Sequence, residues 1–129
     1  MTAIPASHED ILYKKGFAQI ATVDEDGAPQ VTPVWFDYDG EYVLINSAKG
    51  RKKDRNMRAR PQVAISIQDP DDPYRYLGIQ GEVVEITEEG AAAHIHALAH
   101  KYWGRDFHVL TPDQVRVIYK VAPVRVWTE

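Results

Sequence analysis

The sequence predicts a mainly β, α+β fold: a small barrel of about six antiparallel strands with a few short helices, in one domain over residues 1–129. Three observations support this prediction. Apolar and polar residues alternate over several short stretches, and Asp-Gly pairs follow the first two of them, as in hairpin turns. The βαβ succession and glycine-rich phosphate loop of a doubly wound fold are absent.

The N-terminal residues predict a short helix followed by a meander of three strands. Ser7 is placed to cap the helix, Asp10 fits the far side of a capping box, and Gly16 can end it in the left-handed conformation. The strands are Phe17–Val23, Gln30–Phe36 and Glu41–Asn46, joined by turns at Asp24–Gly27 and Asp37–Gly40. Because proline cannot donate a ladder hydrogen bond, Pro29 and Pro33 predict an edge position or a bulge for the second strand.

The rest of the chain predicts two longer helices and three more strands. One helix runs from Arg51 to Arg60 and is stopped by Pro61, and another opens at Thr87–Gly90 and ends at Gly104. Its apolar stripe is Ala91, Ile95, Leu98, Ala99 and Tyr102. The strands are Val63–Gln68, Tyr74–Ile86 with a bend at Gly78 or Gly81, and Val115–Val121, which Pro123 separates from Arg125–Trp127. The connections are a loop at Asp69–Pro73 and a helical turn capped by Thr111-Pro112.

Composition limits the classes of function. Hydrophobic content of 44% and charged content of 26% are ordinary for a soluble globular domain. The absence of cysteine excludes disulfides, thiolate nucleophiles and cysteine-ligated metals. Neither a signal peptide nor an apolar stretch of membrane-spanning length is present, so a cytoplasmic protein with no membrane partner is expected.

Positive charge is concentrated in one segment. Residues 49–60 hold seven of the 15 basic side chains and one of the 19 acidic ones, a net charge of +6, so the remaining eight basic and 18 acidic side chains carry −10. On a helix, Arg51 and Arg55, and likewise Lys49 and Lys53, would lie four residues apart and repel each other. A solvated helix face is one explanation. A bound phosphate is favoured, because it would neutralise these charges and accept from free N–H groups around Gly50 and Arg51.

Other ligands fit the sequence less well. A nucleic acid would be repelled by the acidic remainder of the chain, whose overall pI is about 5.7. His96 and His100 have the helical spacing of a shared metal, but no carboxylate follows at a matching position, so polar surface is preferred. No serine has the elbow motif or paired base of a catalytic triad. Tyr74 and Tyr76 share one strand face and fit either core packing or a planar ligand.

Three segments of the chain resemble a known family. They are Pro29–Trp35, Ala48–Asn56 and Arg60–Ile65, of which the most specific part is the Arg-x-Lys-x-x-Asn pattern at Arg51, Lys53 and Asn56. In this order, between two Asp-Gly turns, they resemble the pyridoxamine 5′-phosphate oxidase-like, FMN-binding split-barrel superfamily. The resemblance extends from about Gly16 to the end of the chain and is strongest to the branch that binds the deazaflavin coenzyme F420.

The resemblance implies a homodimer of split β-barrels with two cofactor sites at the interface. It implies that Arg51, Lys53 and Asn56 hold the cofactor phosphate, that Leu44–Ser47 offers backbone groups to the ring, and that Pro29–Trp35 lines its other side. Tyr74 and Tyr76 correspond to aromatic residues that the partner subunit contributes. The predicted cofactor-binding residues are Thr32, Pro33, Trp35, Asn46, Ser47, Lys49, Gly50, Arg51, Lys53, Asn56, Tyr74 and Tyr76.

The implied chemistry is hydride transfer between the C5 position of the cofactor and a small organic acceptor. No side chain is identified as an acid or base, and no metal is expected. A vitamin-B6 oxidase is not expected, because the chain ends at Arg125–Glu129 without that enzyme's C-terminal substrate-binding residues. The surplus of basic residues favours F420, whose polyglutamate tail adds carboxylates. An FMN-dependent oxidoreductase of the same fold and a non-catalytic flavin or deazaflavin carrier are the alternatives.

Overall fold

The computed structural model describes residues 1–108, 111 and 113–129, which contain seven strands, two α-helices and a short 3₁₀ helix. The elements are the 3₁₀ helix Glu9–Tyr13, β1 (Ala18–Val23), β2 (Pro29–Val34), β3 (Phe36–Tyr38), β4 (Val43–Ala48), α1 (Lys52–Ala59), β5 (Gln62–Asp69), β6 (Asp72–Thr87), α2 (Ala91–Trp103) and β7 (Arg116–Thr128). Of the helical turn predicted at Thr111-Pro112, Pro112 lies outside the described residues.

The seven strands of the described chain form one antiparallel sheet in the order β2-β1-β5-β6-β7-β4-β3. The sheet curls into a half-barrel, and register shifts at Gln68, Gln80 and Val83 interrupt the long strands β5 and β6. The predicted mainly β split barrel is confirmed, with seven strands instead of about six. The bend expected at Gly78 or Gly81 coincides with the register shift between Gln80 and Gly81.

The predicted three-strand meander is wrong, because the chain leaves the sheet at Trp35. β2 pairs with β1 at one edge of the sheet, whereas β3 pairs with β4 at the opposite edge. The stretch predicted as one strand, Gln30–Phe36, is therefore two strands. The edge position expected from Pro29 and Pro33 is confirmed.

The hydrophobic core draws residues from the whole sheet. Every strand contributes at least one buried apolar residue to it, together with the 3₁₀ helix and α1. In β5, for example, Val63, Ile65 and Ile67 are buried and alternate with more exposed neighbours. The predicted stripe of α2 is buried as well, at Ala91, Ile95, Leu98 and Ala99, with Tyr102 half-buried.

The first helix differs from its prediction. It is a 3₁₀ helix without a side-chain cap, and the Ser7 hydroxyl contacts His8 Nδ1 at 2.8 Å instead of capping it. Gly16 does not have the positive φ expected of a helix end. A Cβ at Gly16 would lie 3.0 Å from the carbonyl oxygen of Gln68, so close packing against β5 is what requires glycine there.

The connections follow local turn chemistry, with one exception. Gly27 and Gly40 have φ of +83° and +96°, which confirms both predicted hairpin turns. The predicted loop Asp69–Pro73 is instead a tight turn at Pro70 and Asp71. Within this turn the buried Asp69 carboxylate accepts from the Asp71 N–H at 2.9 Å, and it also accepts from Lys14 Nζ at 2.9 Å and from Arg75 Nη1 at 2.7 Å.

The remaining helix and strand boundaries agree closely with the sequence, except near Thr87 and Pro123. Thr87 ends β6, and α2 begins after Gly90, while Gly104 ends α2 with φ of +76° as predicted. β7 runs unbroken through Pro123, because a register shift pairs this residue with Gly81 and leaves Val124 as a bulge. Among the described residues, no helix has the length and apolar character needed to cross a membrane.

Candidate functional site

A cavity of about 410 Å³ lies where the chain crosses from β2 to β3. The end of β4, the start of α1, α2 and the start of β7 also border it. Its lining is Phe17, Pro33, Val34, Trp35, Asn46, Ser47, Arg51, Lys53, Ile95, Trp103, Phe107, His108 and Arg116. Two groups in this lining decide its chemistry: a basic cluster, Arg51, Lys53 and Arg116, and an aromatic wall, Phe17, Trp35, Trp103 and Phe107.

The basic cluster has no acidic partner among the described residues. Arg116 is buried, with 7% of its surface exposed. Within the described chain it donates only to neutral acceptors, from Nε to Asn46 Oδ1 and from Nη1 to Gln114 Oε1, each at 2.9 Å. Burial and the nearby charge of Arg51 lower the pKa of Arg116 to about 10. Burial, Arg51 and Arg116 also lower the pKa of Lys53. An anion bound among the three side chains would offset both the desolvation and the repulsion.

A glycine turn and a buried aspartate position two of these cations. Gly50, after the end of β4, has φ of +92°, a conformation that other residues rarely adopt. The Asp54 carboxylate is buried, and it accepts from the Gly50 N–H at 2.9 Å and from the Tyr119 hydroxyl at 2.5 Å. These bonds tie the turn to β7. Arg51, which follows Gly50, is the N-cap of α1, and Lys53 lies in the first turn of this helix.

The other five basic residues of segment 49–60 bind the protein's own acceptors. The pairs are Lys49 Nζ with Glu88 (3.0 Å), Lys52 Nζ with Asp24 (3.6 Å), Arg55 with the Gly50 carbonyl, Arg58 Nε with Asp54 (3.0 Å) and Arg60 Nε with the Val23 carbonyl (2.7 Å). Lys49 precedes α1, so the predicted helical pair of Lys49 and Lys53 does not exist. Within this segment, only Arg51 and Lys53 line the cavity.

The backbone donors predicted around Gly50 and Arg51 are already used. The Gly50 N–H binds Asp54, and the Arg51 N–H points to the Ala48 carbonyl at 3.4 Å. The N–H groups of Lys52 and Lys53, which open α1, have no acceptor within the described chain. The donors left for an anion therefore lie at the first residues of the helix instead of in the turn before it.

The end of β4 adds further polar groups. β3 pairs with β4 only as far as Ile45, so residues 46–48 have β7 on one side and no strand of the described chain on the other. The hydroxyl of Ser47 is buried and has no hydrogen-bond partner among the described residues. An unpaired buried hydroxyl is costly. Together with the unpaired cations, it fits a ligand that carries a phosphate.

The structure does not bring every predicted site residue to the cavity. Those that line it are Pro33, Trp35, Asn46, Ser47, Arg51 and Lys53. Asn56 is buried elsewhere: its Nδ2 donates to Thr22 Oγ1 at 3.0 Å and its Oδ1 accepts from Arg60, which fastens α1 to β1. Lys49, Gly50 and Thr32 also lie outside the lining.

The aromatic wall was largely missed by sequence reasoning. The Trp35 ring stacks on Tyr102 with a centroid distance of 5.1 Å and meets Trp103 edge-on at 4.5 Å. Trp103 stacks in turn with Phe107 at 5.8 Å. The sequence had pointed only to Trp35. Trp103 could have been found from its position, because it lies outside the apolar stripe of α2 and its large aromatic side chain is partly exposed.

Arg116, Phe17, Phe107 and His108 were also missed. Arg116 directly follows Val115 at the start of the last strand. Nothing in this local sequence indicates that Arg116 lies beside the basic segment 49–60, which is more than fifty residues earlier. Its pairing partner in β4 is Ala48, and this pairing is what brings the third cation to the cavity. The others lie on connecting segments without a recognisable motif.

Tyr74 and Tyr76 lie away from the cavity of their own chain. Tyr74 is 87% exposed, and Tyr76 lines a separate groove of about 530 Å³ at the β5–β6 turn. That groove is larger, but its lining combines Lys15 with Asp69 and has no comparable basic cluster among the described residues. The smaller cavity is therefore the better candidate site for an anionic ligand.

The histidines of α2 are engaged locally. His96 Nδ1 accepts from the Phe107 N–H at 3.1 Å, and His100 Nε2 lies 2.6 Å from Asp106 Oδ1. Within residues 1–108, 111 and 113–129, no three His, Asp or Glu side chains are grouped as metal ligands.

Comparisons with known proteins agree with this architecture. The family model described as pyridoxamine 5′-phosphate oxidase matches residues 4–129. A solved F420 reductase is 36% identical, with a TM-score of 0.88 over 96% of this chain and 98% of that one. A conserved hypothetical protein from Mycobacterium tuberculosis is 22% identical, with a TM-score of 0.77 over 99% and 85% of the two chains. A pyridoxamine 5′-phosphate oxidase candidate from Listeria innocua is 23% identical, with a TM-score of 0.73 over 95% and 94%.

The last two structures share the fold, and the first also shares much of the sequence. The family model spans nearly the whole chain, and the alignment with the F420 reductase covers nearly all of both proteins. The chain therefore belongs to the pyridoxamine 5′-phosphate oxidase-like split barrels, in the branch that includes the F420 reductase.

Proposed function

We propose that this protein is an F420-dependent oxidoreductase that transfers a hydride between the deazaflavin and a small organic acceptor. One observation carries the proposal: three cations without acidic partners in the described chain share a cavity with an aromatic wall. An anionic phosphate attached to a flat ring system matches both groups. The 36% identity to an F420 reductase supports the choice of cofactor.

The phosphate is assigned to the basic cluster and to the start of α1. Arg51 and Arg116 can each bind two phosphate oxygens, and Lys53 contributes a single strong donor. The Ser47 hydroxyl can donate to the same group, which would satisfy its unpaired oxygen. The unpaired N–H groups of the first turn of α1 add donors at the positive end of its dipole.

The ring is assigned to the space between the aromatic wall and the end of β4. The free edge at residues 46–48 can offer backbone groups to polar ring atoms. Trp35 and Trp103, held by their contacts with each other, can cover a ring face and exclude water. When bound, a deazaflavin supplies the hydride chemistry itself, and the protein supplies orientation and electrostatics.

FMN is the alternative cofactor on the same fold. The basic surplus that favoured F420 is now a weaker reason, because five of the seven basic residues in segment 49–60 already have acceptors in the protein. Of these, Lys49 is exposed, and it could still meet a long acidic tail. The preference for F420 thus rests mainly on the similarity to the F420 reductase.

We further propose a homodimer in which the partner completes each site. Tyr74 and Tyr76 lie at the start of β6, directly after the β5–β6 turn and outside the cavity of their own chain. An exposed aromatic side chain such as Tyr74 is well suited to cover a ring bound to a second subunit. Sedimentation or light scattering would test this, since a monomer at micromolar concentration would contradict it.

The cofactor assignment is tested by titrating the protein with F420 and with FMN and following fluorescence. Tight binding of F420 and much weaker binding of FMN is expected. Micromolar affinity for FMN with none for F420 would reverse the choice. Turnover of reduced F420 with a panel of quinones and activated alkenes then separates an enzyme from a carrier, because a carrier would bind the cofactor without oxidising it.

A further inference from the structure

The Asn46 amide connects the basic cluster to α2. Its Oδ1 accepts from Arg116 Nε at 2.9 Å, and its Nδ2 lies 2.9 Å from the Ala91 carbonyl and 3.1 Å from His94 Nδ1. A guanidinium can only donate and a backbone carbonyl can only accept, so both neighbours require this orientation of the amide. It follows that Asn46 donates to His94 Nδ1.

The same constraint fixes the tautomer of His94. Because Nδ1 accepts, the proton of the neutral imidazole lies on Nε2. This atom is 3.5 Å from Asp37 Oδ2 and forms no hydrogen bond within the described chain, so electrostatic attraction alone connects the two side chains. The pKa of Asp37 is lowered, chiefly by His94 and also by the Tyr38 N–H, and Lys101 of α2 acts in the same direction.

The donors and acceptors of this side-chain network follow one direction. Arg116 donates to Asn46, Asn46 donates to His94, and the His94 Nε2–H faces the Asp37 carboxylate, whose side chain is 44% exposed. The negative charge thus lies at the end remote from the cavity lining, which does not include Asp37. Each link polarises the next, so the guanidinium gains a strengthened acceptor without an adjacent carboxylate to neutralise it.

The bonds to Asn46 and Gln114 account for only part of the donor capacity of Arg116. Within the described chain, neither Nη2 hydrogen of this guanidinium has an acceptor. Because Arg116 lines the cavity, these donors remain for a ligand. A carboxylate in place of Asn46 could also accept from Arg116, but it would cancel the charge of the guanidinium and could not donate to the Ala91 carbonyl.

We propose that Asp37, His94 and Asn46 are positioning residues that orient the Arg116 guanidinium toward a phosphate in the cavity while leaving its charge uncompensated. The identity of the ligand rests on the proposed function, whereas the orientation of Arg116 is a property of the chain itself. His94 is the best member to test, because glutamine can both accept from Asn46 and donate toward Asp37, whereas leucine can do neither.

The binding test compares His94→Gln, His94→Leu and the control His100→Leu, which removes a histidine from the exposed side of the same helix. Each variant is titrated with F420, with FMN and with the deazaflavin chromophore lacking its phosphate. His94→Leu should weaken binding of the phosphate-bearing ligands about three- to tenfold and leave the bare chromophore unaffected. His94→Gln and His100→Leu should stay near the parent. An equal loss for the bare chromophore, or an equal loss in His94→Gln, would overturn the proposal.

A second measurement does not depend on any ligand. The Nε–H signal of Arg116 in a ¹⁵N NMR spectrum, assigned with Arg116→Lys, should shift or exchange faster with water in His94→Leu and not in His94→Gln. An unchanged signal in His94→Leu would refute the positioning role. If the signal responds but neither cofactor binds, the positioning role stands and the proposed function fails. If His94→Leu does not fold, Asp37→Asn provides a milder perturbation, because Asp37 lies at the exposed end of the side-chain network.

Discussion

Replacing Lys53 with alanine should weaken cofactor binding without weakening the fold. Lys53 is half-buried in the cavity lining, next to Arg51 and Arg116, and has no acidic partner among the described residues. A hydrogen bond to a charged group contributes about 1.5–3 kcal/mol, which corresponds to roughly a 10- to 150-fold increase in Kd. The lowered pKa of Lys53 shows that its charged form is disfavoured by burial and by neighbouring cations. Its removal should therefore leave the free energy of unfolding unchanged or slightly higher.

The neighbouring residue provides a matched control. Lys52→Ala removes the same charge from the same turn of α1 and keeps the backbone N–H, but the Lys52 side chain is 49% exposed and faces Asp24 at 3.6 Å. Exposed pairs contribute little, and distant charges are screened at physiological salt, so Kd should change by less than about threefold. Fluorescence titration gives the Kd values, and urea denaturation gives the stabilities. Equal losses of affinity in the two variants would mean that general charge attraction, and not a direct contact with Lys53, governs binding.

Two further predictions concern stability. Gly81→Ala should lower the free energy of unfolding by about 1–3 kcal/mol, because its Cβ would lie 2.5 Å from the buried Val121 side chain; urea unfolding as stable as that of the parent would refute this packing argument. The pKa of Asp69 is lowered to about 2 by the Asp71 N–H and by Lys14, so its stabilising effect is present at neutral pH and is lost as the pH falls from 3.8 toward 2. The drop in unfolding free energy between pH 7 and pH 3 should consequently be smaller in Asp69→Asn than in the parent, and an equal drop would exclude this carboxylate as a major contributor.

Local patterns accounted for most of the secondary structure. The Asp-Gly turns at Gly27 and Gly40 are set by residues a few positions apart, and the structure reproduces both. The errors arose where distant contacts outweighed local preference. The break at Trp35 depends on packing against Tyr102 of α2, and β7 continues through Pro123 because a bulge opposite Gly81 accommodates it.

The candidate site was predicted less completely than the fold. Arg51 and Lys53 could be identified because they lie in one conspicuous basic segment. Asn56 belonged to the same motif, but its amide is used to hold α1 against Thr22. A sequence motif states which side chains are near each other along the chain, and only the packing decides which of them face a cavity.

The sequence by itself determined the fold class, the basic segment and the family resemblance, because each depends on short-range pattern, composition or spacing. The tertiary structure decided which charges remain available to a ligand. Five of the seven basic side chains in segment 49–60 found acceptors in the protein, while Arg116 joined the cavity from the other end of the chain. The physical reason is that charge is a local property of a residue, whereas its neutralisation depends on partners that only folding brings within hydrogen-bond distance.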